Sequence, residues 1–197
     1  MLIKMSKLKL STKWIYFLTT LPAVALFYRA FSGGLGVDPV KKLEHELGLL
    51  TIQLLILTLL ISPIRDLFKI NLIKYRRSLG VMTFFYAFSH FSVWMLFDIQ
   101  LLWDELIADI FRRPYISFGF LSFIGIIPLA ITSNNISIKK MGVKLWRRIH
   151  VLIYPASILA GLHFVMVKKV WELEPLIYSI IILGLLIFRF VSVFRKI

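Results

Sequence analysis

The chain contains no cysteine. That absence excludes disulfides, cysteine-ligated iron–sulfur clusters, thiol redox chemistry and covalently attached c-type haem. Acids are scarce as well: ten Asp and Glu stand against 24 Lys and Arg in 197 residues, a formal net charge of +14. A dinucleotide fingerprint is missing too, because Gly33, Gly34 and Gly36 follow no strand-like run and read as a turn. The stretch from His45 begins like a zinc-protease helix, but Leu49 stands where the second histidine is required. With no GxSxG-type elbow either, a membrane-embedded hydrolase has little support. The length leaves room for several membrane spans and none for a nucleotide-binding domain, so any NAD(P)H chemistry is expected from another protein.

What the chain has in excess is apolar surface. Apolar residues make up 59% of it and the mean hydropathy is +0.84, more than a water-soluble domain carries. Six apolar segments emerge, at about 14–31, 47–63, 79–97, 116–132, 149–167 and 175–194, each near the length that crosses a bilayer. The fold class predicted is all-α: a polytopic membrane protein with a six-helix bundle, residues 1–197 forming one transmembrane domain. Lys4, Lys7, Lys9 and Lys13 before the first segment, with Ala23-Val24-Ala25 inside it, also resemble a secretory signal peptide, but the apolar run continues to Phe31.

Charge sets the expected orientation. The N-terminal lysines, then Arg65, Lys69, Lys74, Arg76 and Arg77, then Lys139, Lys140, Lys144, Arg147 and Arg148, and finally Arg195 and Lys196 all fall on one side, with Asp66 as the acid among them. The opposite loops hold Asp38, Glu44, Glu46, Asp98, Asp104, Glu105, Asp109, Glu172 and Glu174. By the positive-inside rule both termini are cytoplasmic. The basic loops then require no nucleic acid; anionic lipid headgroups, or an acidic cytosolic electron donor, account for them. Trp14, Trp94, Trp103, Trp146 and Trp171 fall mostly near span ends, as interfacial anchors do.

Within this frame the histidines stand out, because an ionisable or metal-binding side chain in an apolar span marks a functional site. His90 lies in the third segment, and His150 and His163 lie in the stretch from Trp146 to Val167. The third and fifth spans run in the same direction. His90 lies at a similar distance beyond Arg77 as His163 does beyond Arg148, so both sit at similar height in the outer half, placed to grip one haem iron through imidazole nitrogen. His150 lies near the cytoplasmic face, roughly 20 Å from His163 along a helix. In the third span Arg77 stands at that depth, suited to a haem propionate rather than to iron. On a straight helix His150 and His163 would point about 140° apart, and Pro155 between them permits a kink. Ala156, Ala160 and Gly161 thin the helix beside His163, as a flat macrocycle or close helix packing requires. His45, between Glu44 and Glu46, is a further candidate for a metal or the outer haem. A histidine-containing transporter or proton channel is the alternative class, but no internal repeat supports it.

The run from Trp146 to His150, Tyr154, and His163-Phe164 resembles the fifth span of the ferric-reductase-like transmembrane family, which includes the membrane part of NADPH oxidases. More closely, GGLGVDPV at 33–40, His45, ISP at 61–63, RRSLG at 76–80, His90, RPY at 113–115, TS at 132–133 and PLIY at 175–178 are similar to the haem-binding subunits of periplasmic methionine sulfoxide reductase systems. The resemblance implies an electron-transfer subunit of the bacterial inner membrane, rather than the substrate-reducing subunit. It carries one or two b-type haems and passes electrons from the quinone pool or a cytosolic flavin reductase to a periplasmic molybdopterin partner that repairs oxidised proteins. By resemblance His90, His150 and His163 match the family's haem histidines; His45, Arg77 and Arg148 are further candidate cofactor contacts. FMN is a family cofactor whose position no residue here indicates. The wider family has two histidines on each of two spans, whereas the third span here has one, which leaves the sixth ligand of an inner haem unassigned.

Overall fold

In the computed structural model, residues 11–168 and 170–194 are described. Lys4, Lys7, Lys9, Arg195 and Lys196, which contribute to the charge pattern, lie outside the described residues. Among the described residues there are eight α-helices, one π-helical turn and no strand. The helices are α1 (Thr12–Phe31), α2 (Pro39–Phe68), α3 (Ile73–Val93), α4 (Trp103–Arg112), α5 (Pro114–Ile131), α6 (Asn135–His150), α7 (Ile153–Met166) and α8 (Leu173–Phe194), with the π turn at Trp94–Asp98. Six helical segments are long and apolar enough to cross a membrane.

Local chemistry sets the boundaries. Pro39 and Pro114 open α2 and α5 at a position whose N–H has no helical partner in any case. Asp38 caps α2 by accepting from the Lys41 N–H at 3.1 Å, and Asn134 caps α6 by accepting from the Ser137 N–H at 2.7 Å. The stretch expected to form one fifth span is divided: α6 ends at His150, Val151 and Leu152 turn, and α7 begins at Ile153. Pro155 falls in the first turn of α7, where proline is tolerated, and the local rewinding expected beside it takes the form of this turn, in which Val151 and Leu152 keep right-handed helical dihedrals. α6 has no buried residue and breaks at Gly142, whose φ of 77° few other residues adopt.

α2 is the central element. On one side Leu43, Leu47 and Leu54 pack with Ala23 and Leu26 of α1 and Met82 and Tyr86 of α3. On the other, Ile52, Leu55, Ile56 and Leu59 pack with Phe164 of α7 and Ile182, Leu185 and Leu186 of α8. Long apolar side chains on the outer surface, among them Leu57, Phe85, Ile124 and Ile180, remain exposed, as lipid-facing positions do.

Two polar insertions join these helices. The fully buried Tyr86 hydroxyl enters the α1 ladder beside Pro22, accepting from the Ala23 N–H at 3.0 Å and donating to the Thr19 carbonyl at 2.6 Å. In α2, Pro63 cannot donate to the carbonyl of Leu59 four residues earlier. The buried Arg189 of α8 does so instead, donating from its Nη2 at 3.2 Å. Arg189→Met should therefore leave the Leu59 carbonyl without a partner and destabilise the protein by about 1–3 kcal/mol. Adding Pro63→Ala, which restores the helical donor, should recover most of that loss in detergent melting experiments. Equal stability of the single and double variants would show that this bond contributes nothing.

Candidate functional site

Between the pair α2 and α3 and the pair α5 and α7 lies a cavity of about 500 Å³. His90 and His163 line it from opposite sides, with ring centroids 6.1 Å apart and planes inclined at 70°.

Each imidazole is seated on the neighbouring helix in the same way. The Nδ1–H of His90 donates to the Glu44 carbonyl at 2.8 Å, and a Cβ on Gly48 would lie 3.2 Å from the His90 ring. The Nδ1–H of His163 donates to the Tyr115 carbonyl at 2.7 Å, and a Cβ on Gly119 would lie 2.7 Å from that nitrogen. The carbonyl and the glycine are four residues apart in both cases, one helical turn. A carbonyl only accepts, so Nδ1 of each ring carries the proton and Nε2 keeps its lone pair. This is the tautomer a metal-binding histidine needs, held by the hydrogen bond such ligands ordinarily make.

The spacing can be tested against a metal. Imidazole nitrogen binds a transition metal at about 2.0–2.1 Å, and the ring centre lies about 1.1 Å further, so two rings on opposite sides of one ion stand about 6.3 Å apart. The observed separation agrees. No group of three or more His, Cys, Asp or Glu with metal-site geometry occurs among the described residues, so these two rings would need a ligand that brings its own equatorial donors. A tetrapyrrole does this, and the apolar walls from Phe91, Phe120, Phe123 and Ile126 suit its faces and edge.

The five-residue π turn extends this wall. Each residue advances less around a π turn than around an α-helix, which keeps Trp94 and Asp98 on the side of His90, and both line the cavity. Beyond them the mouth carries Lys41, Glu44, Arg113 and Lys168. A side-chain hydrogen bond with Tyr115, and then the charge of Asp109, hold the Arg113 guanidinium above its ordinary pKa, so it remains cationic.

The other predicted residues are placed as follows. His45 lines the cavity, its ring tilted against Phe164 with centroids 6.4 Å apart. His150 does not line it; the ring stacks on Trp146 at 3.9 Å, and its Nδ1–H donates to the Trp146 carbonyl at 3.0 Å. Arg77 is exposed and donates to Asn135 Oδ1 at 2.8 Å, and Arg148 is exposed on α6, so neither reaches the cavity. Gly48, Gly119, Arg113 and the π turn did not stand out in the sequence. A glycine in a helix interior costs up to about 1 kcal/mol relative to alanine and so signals a close approach, but Gly80, Gly125, Gly161 and Gly184 give the same signal without a histidine against them.

Residues 47–161 match the model of the family described as ferric reductase like transmembrane component. A protein-methionine-sulfoxide reductase heme-binding subunit MsrQ from Brucella anthropi is 45% identical over 177 residues, covering 90% of this chain and 80% of the relative. The proteins of the same name from Brucella ovis and Brucella canis are each 48% identical over 168 residues, covering 85% of this chain and 76% of the relative. No solved structure matches the chain.

Proposed function

Since the chain belongs to the ferric-reductase-like transmembrane family, among the haem-binding subunits of methionine sulfoxide reductase systems, we propose that it is a multi-pass electron-transfer subunit holding b-type haem between His90 and His163. The observation that carries this reading is the pair of imidazoles 6.1 Å apart, each fixed as the tautomer with a free Nε2. Bound there, haem supplies a one-electron redox centre. The residues of the chain supply the rest. His90 and His163 would hold it through their Nε2 nitrogens, and the Glu44 and Tyr115 carbonyls orient the rings and raise their basicity. Gly48 and Gly119 leave the rings their space, and Phe91, Phe120 and Phe123 keep water from the site.

The protein lies in the bacterial inner membrane with its basic end and both termini in the cytoplasm. The whole chain forms a single domain. It takes electrons from the quinone pool or a cytosolic flavin reductase and passes them to a periplasmic molybdopterin subunit that reduces methionine sulfoxide in oxidised proteins. His150, at the cytoplasmic end, is the ligand candidate for a second haem by its depth and by family resemblance, with Arg77 and Arg148 as further candidate contacts there; FMN is a cofactor by family resemblance alone, with no position assigned. His45, at the mouth, is a secondary contact of the outer haem.

Haem per chain and the reduced-minus-oxidised spectrum of the purified protein test the proposal. A low-spin signal from two axial imidazoles is expected. A protein that stays colourless when haem is supplied would favour a histidine-containing channel or transporter. His150→Ala should keep the low-spin signal of the cavity; loss of that signal would move the site to the cytoplasmic end.

A further inference from the structure

The cavity has two chemically different ends. Along α3 its lining runs from Thr83 to Asp98, with His90 near the middle, about 10–12 Å from each. Beside Thr83 the walls are Leu55, Ala87, Ile126 and Ala156. The hydroxyls at that end are committed: Thr83 donates to the Leu79 carbonyl at 2.9 Å, Ser122 to Ala156 at 2.8 Å and Ser157 to Ile153 at 2.6 Å. Among the described residues no lysine or arginine lines that end. At the Asp98 end stand Lys41, Arg113 and Lys168, from the first turn of α2, the start of α5 and the residues after α7.

A b-type haem carries two carboxylates on one edge of an otherwise apolar disc. Turned toward Leu55 and Ile126, these would be buried anions without partners, which costs several kcal/mol. Turned toward the mouth, they meet three cations from three helical segments. We propose that Lys41, Arg113 and Lys168 form the propionate clamp of the haem pocket, and that Asp98, on the same rim, opposes it. The clamp fixes the edge on which the disc enters and leaves the propionate side facing the mouth.

Each cation already has an acid within 3.3 Å: Asp38 for Lys41, Asp109 for Arg113 and Glu172 for Lys168. These are partly exposed pairs of small net value, and each cation has further N–H donors to share. The clamp presupposes the haem pocket proposed above, and the experiment separates the two.

Holo-protein is prepared with haem and with its dimethyl ester, whose propionates carry no charge. Haem release to a scavenger and the midpoint potential are then measured for wild type, Arg113→Gln, Lys41→Gln, Lys168→Gln and Asp98→Asn. With native haem, each cation variant should release it about tenfold faster, the loss of one charge-assisted hydrogen bond, and should have a lower potential. Asp98→Asn should change both quantities in the opposite direction. With the ester, the differences in release among variants should vanish, and only the direct effect of each charge on the potential should remain. Release differences that persist with the ester, or cation variants that match wild type with native haem, overturn the clamp while the low-spin spectrum leaves the haem pocket standing. A wild-type protein without that spectrum overturns the pocket itself. The cations lie on separate segments, so a folding failure in one variant leaves two to decide.

Discussion

His90→Ala and His163→Ala are each expected to abolish the low-spin haem signal, leaving a protein that binds haem at least about 100-fold more weakly or not at all. The two rings stand at a separation that would let both reach one iron, and removal of either would leave haem held there by one protein nitrogen instead of two. The effect should exceed the ten- to hundredfold loss typical when only an outer partner of a metal ligand is removed. The spectrum and haem content of the purified variants, beside a melting curve in detergent, separate ligand loss from unfolding. A normal low-spin spectrum in both variants would rule out ligation by this pair.

Gly119→Ala should come next in size, although it touches no cofactor atom. Its Cβ would lie 2.7 Å from His163 Nδ1, 2.9 Å from Cε1 and 3.0 Å from Cγ, closer than atoms approach without displacement. The ring cannot withdraw without giving up its bond to the Tyr115 carbonyl, so one methyl group removes both the position and the orientation of the ligand. Haem affinity is expected to fall about ten- to hundredfold, with helical content retained. Gly48→Ala provides the internal scale: its Cβ would meet the His90 ring at 3.2 Å, a distance small shifts relieve, so its loss should be distinctly smaller. Equal and near-normal affinity in both variants would mean that the glycines are spaced for helix packing alone.

The sequence revealed the parts of this site that depend on composition and depth. Six apolar segments and the sorting of charge between loops announce a bundle, and counting from Arg77 and Arg148 places His90 and His163 at one height. Contacts across helices were not legible in the same way. The carbonyls of Glu44 and Tyr115 belong to every residue type, so no pattern of side chains marks them as the groups that orient the histidines. The π turn adds one residue to a helical repeat that looks regular from outside, and so hides Asp98 from a face drawn at 100° per residue. Arg113 was visible within RPY, but nothing linear ties it to a mouth also built from Lys41 and Lys168. The break at Val151 and Leu152 was concealed by an apolar run that reads as continuous.

The way α1 is attached bears on how far the recognisable core of this fold can stand by itself. The segment matching the family begins at residue 47 and ends at 161, yet the Tyr86 phenol inside it is completed by Thr19 and Ala23 of α1. The anchor of His90 is residue 44, and the opposing His163 lies two positions past the matched end. A fragment excised at those borders would have an orphaned buried hydroxyl one turn below His90, no acceptor for that ring and no opposing imidazole. The stretch by which kinship is recognised is thus narrower than the set of residues that completes the histidine pair, which reaches from α1 to α7.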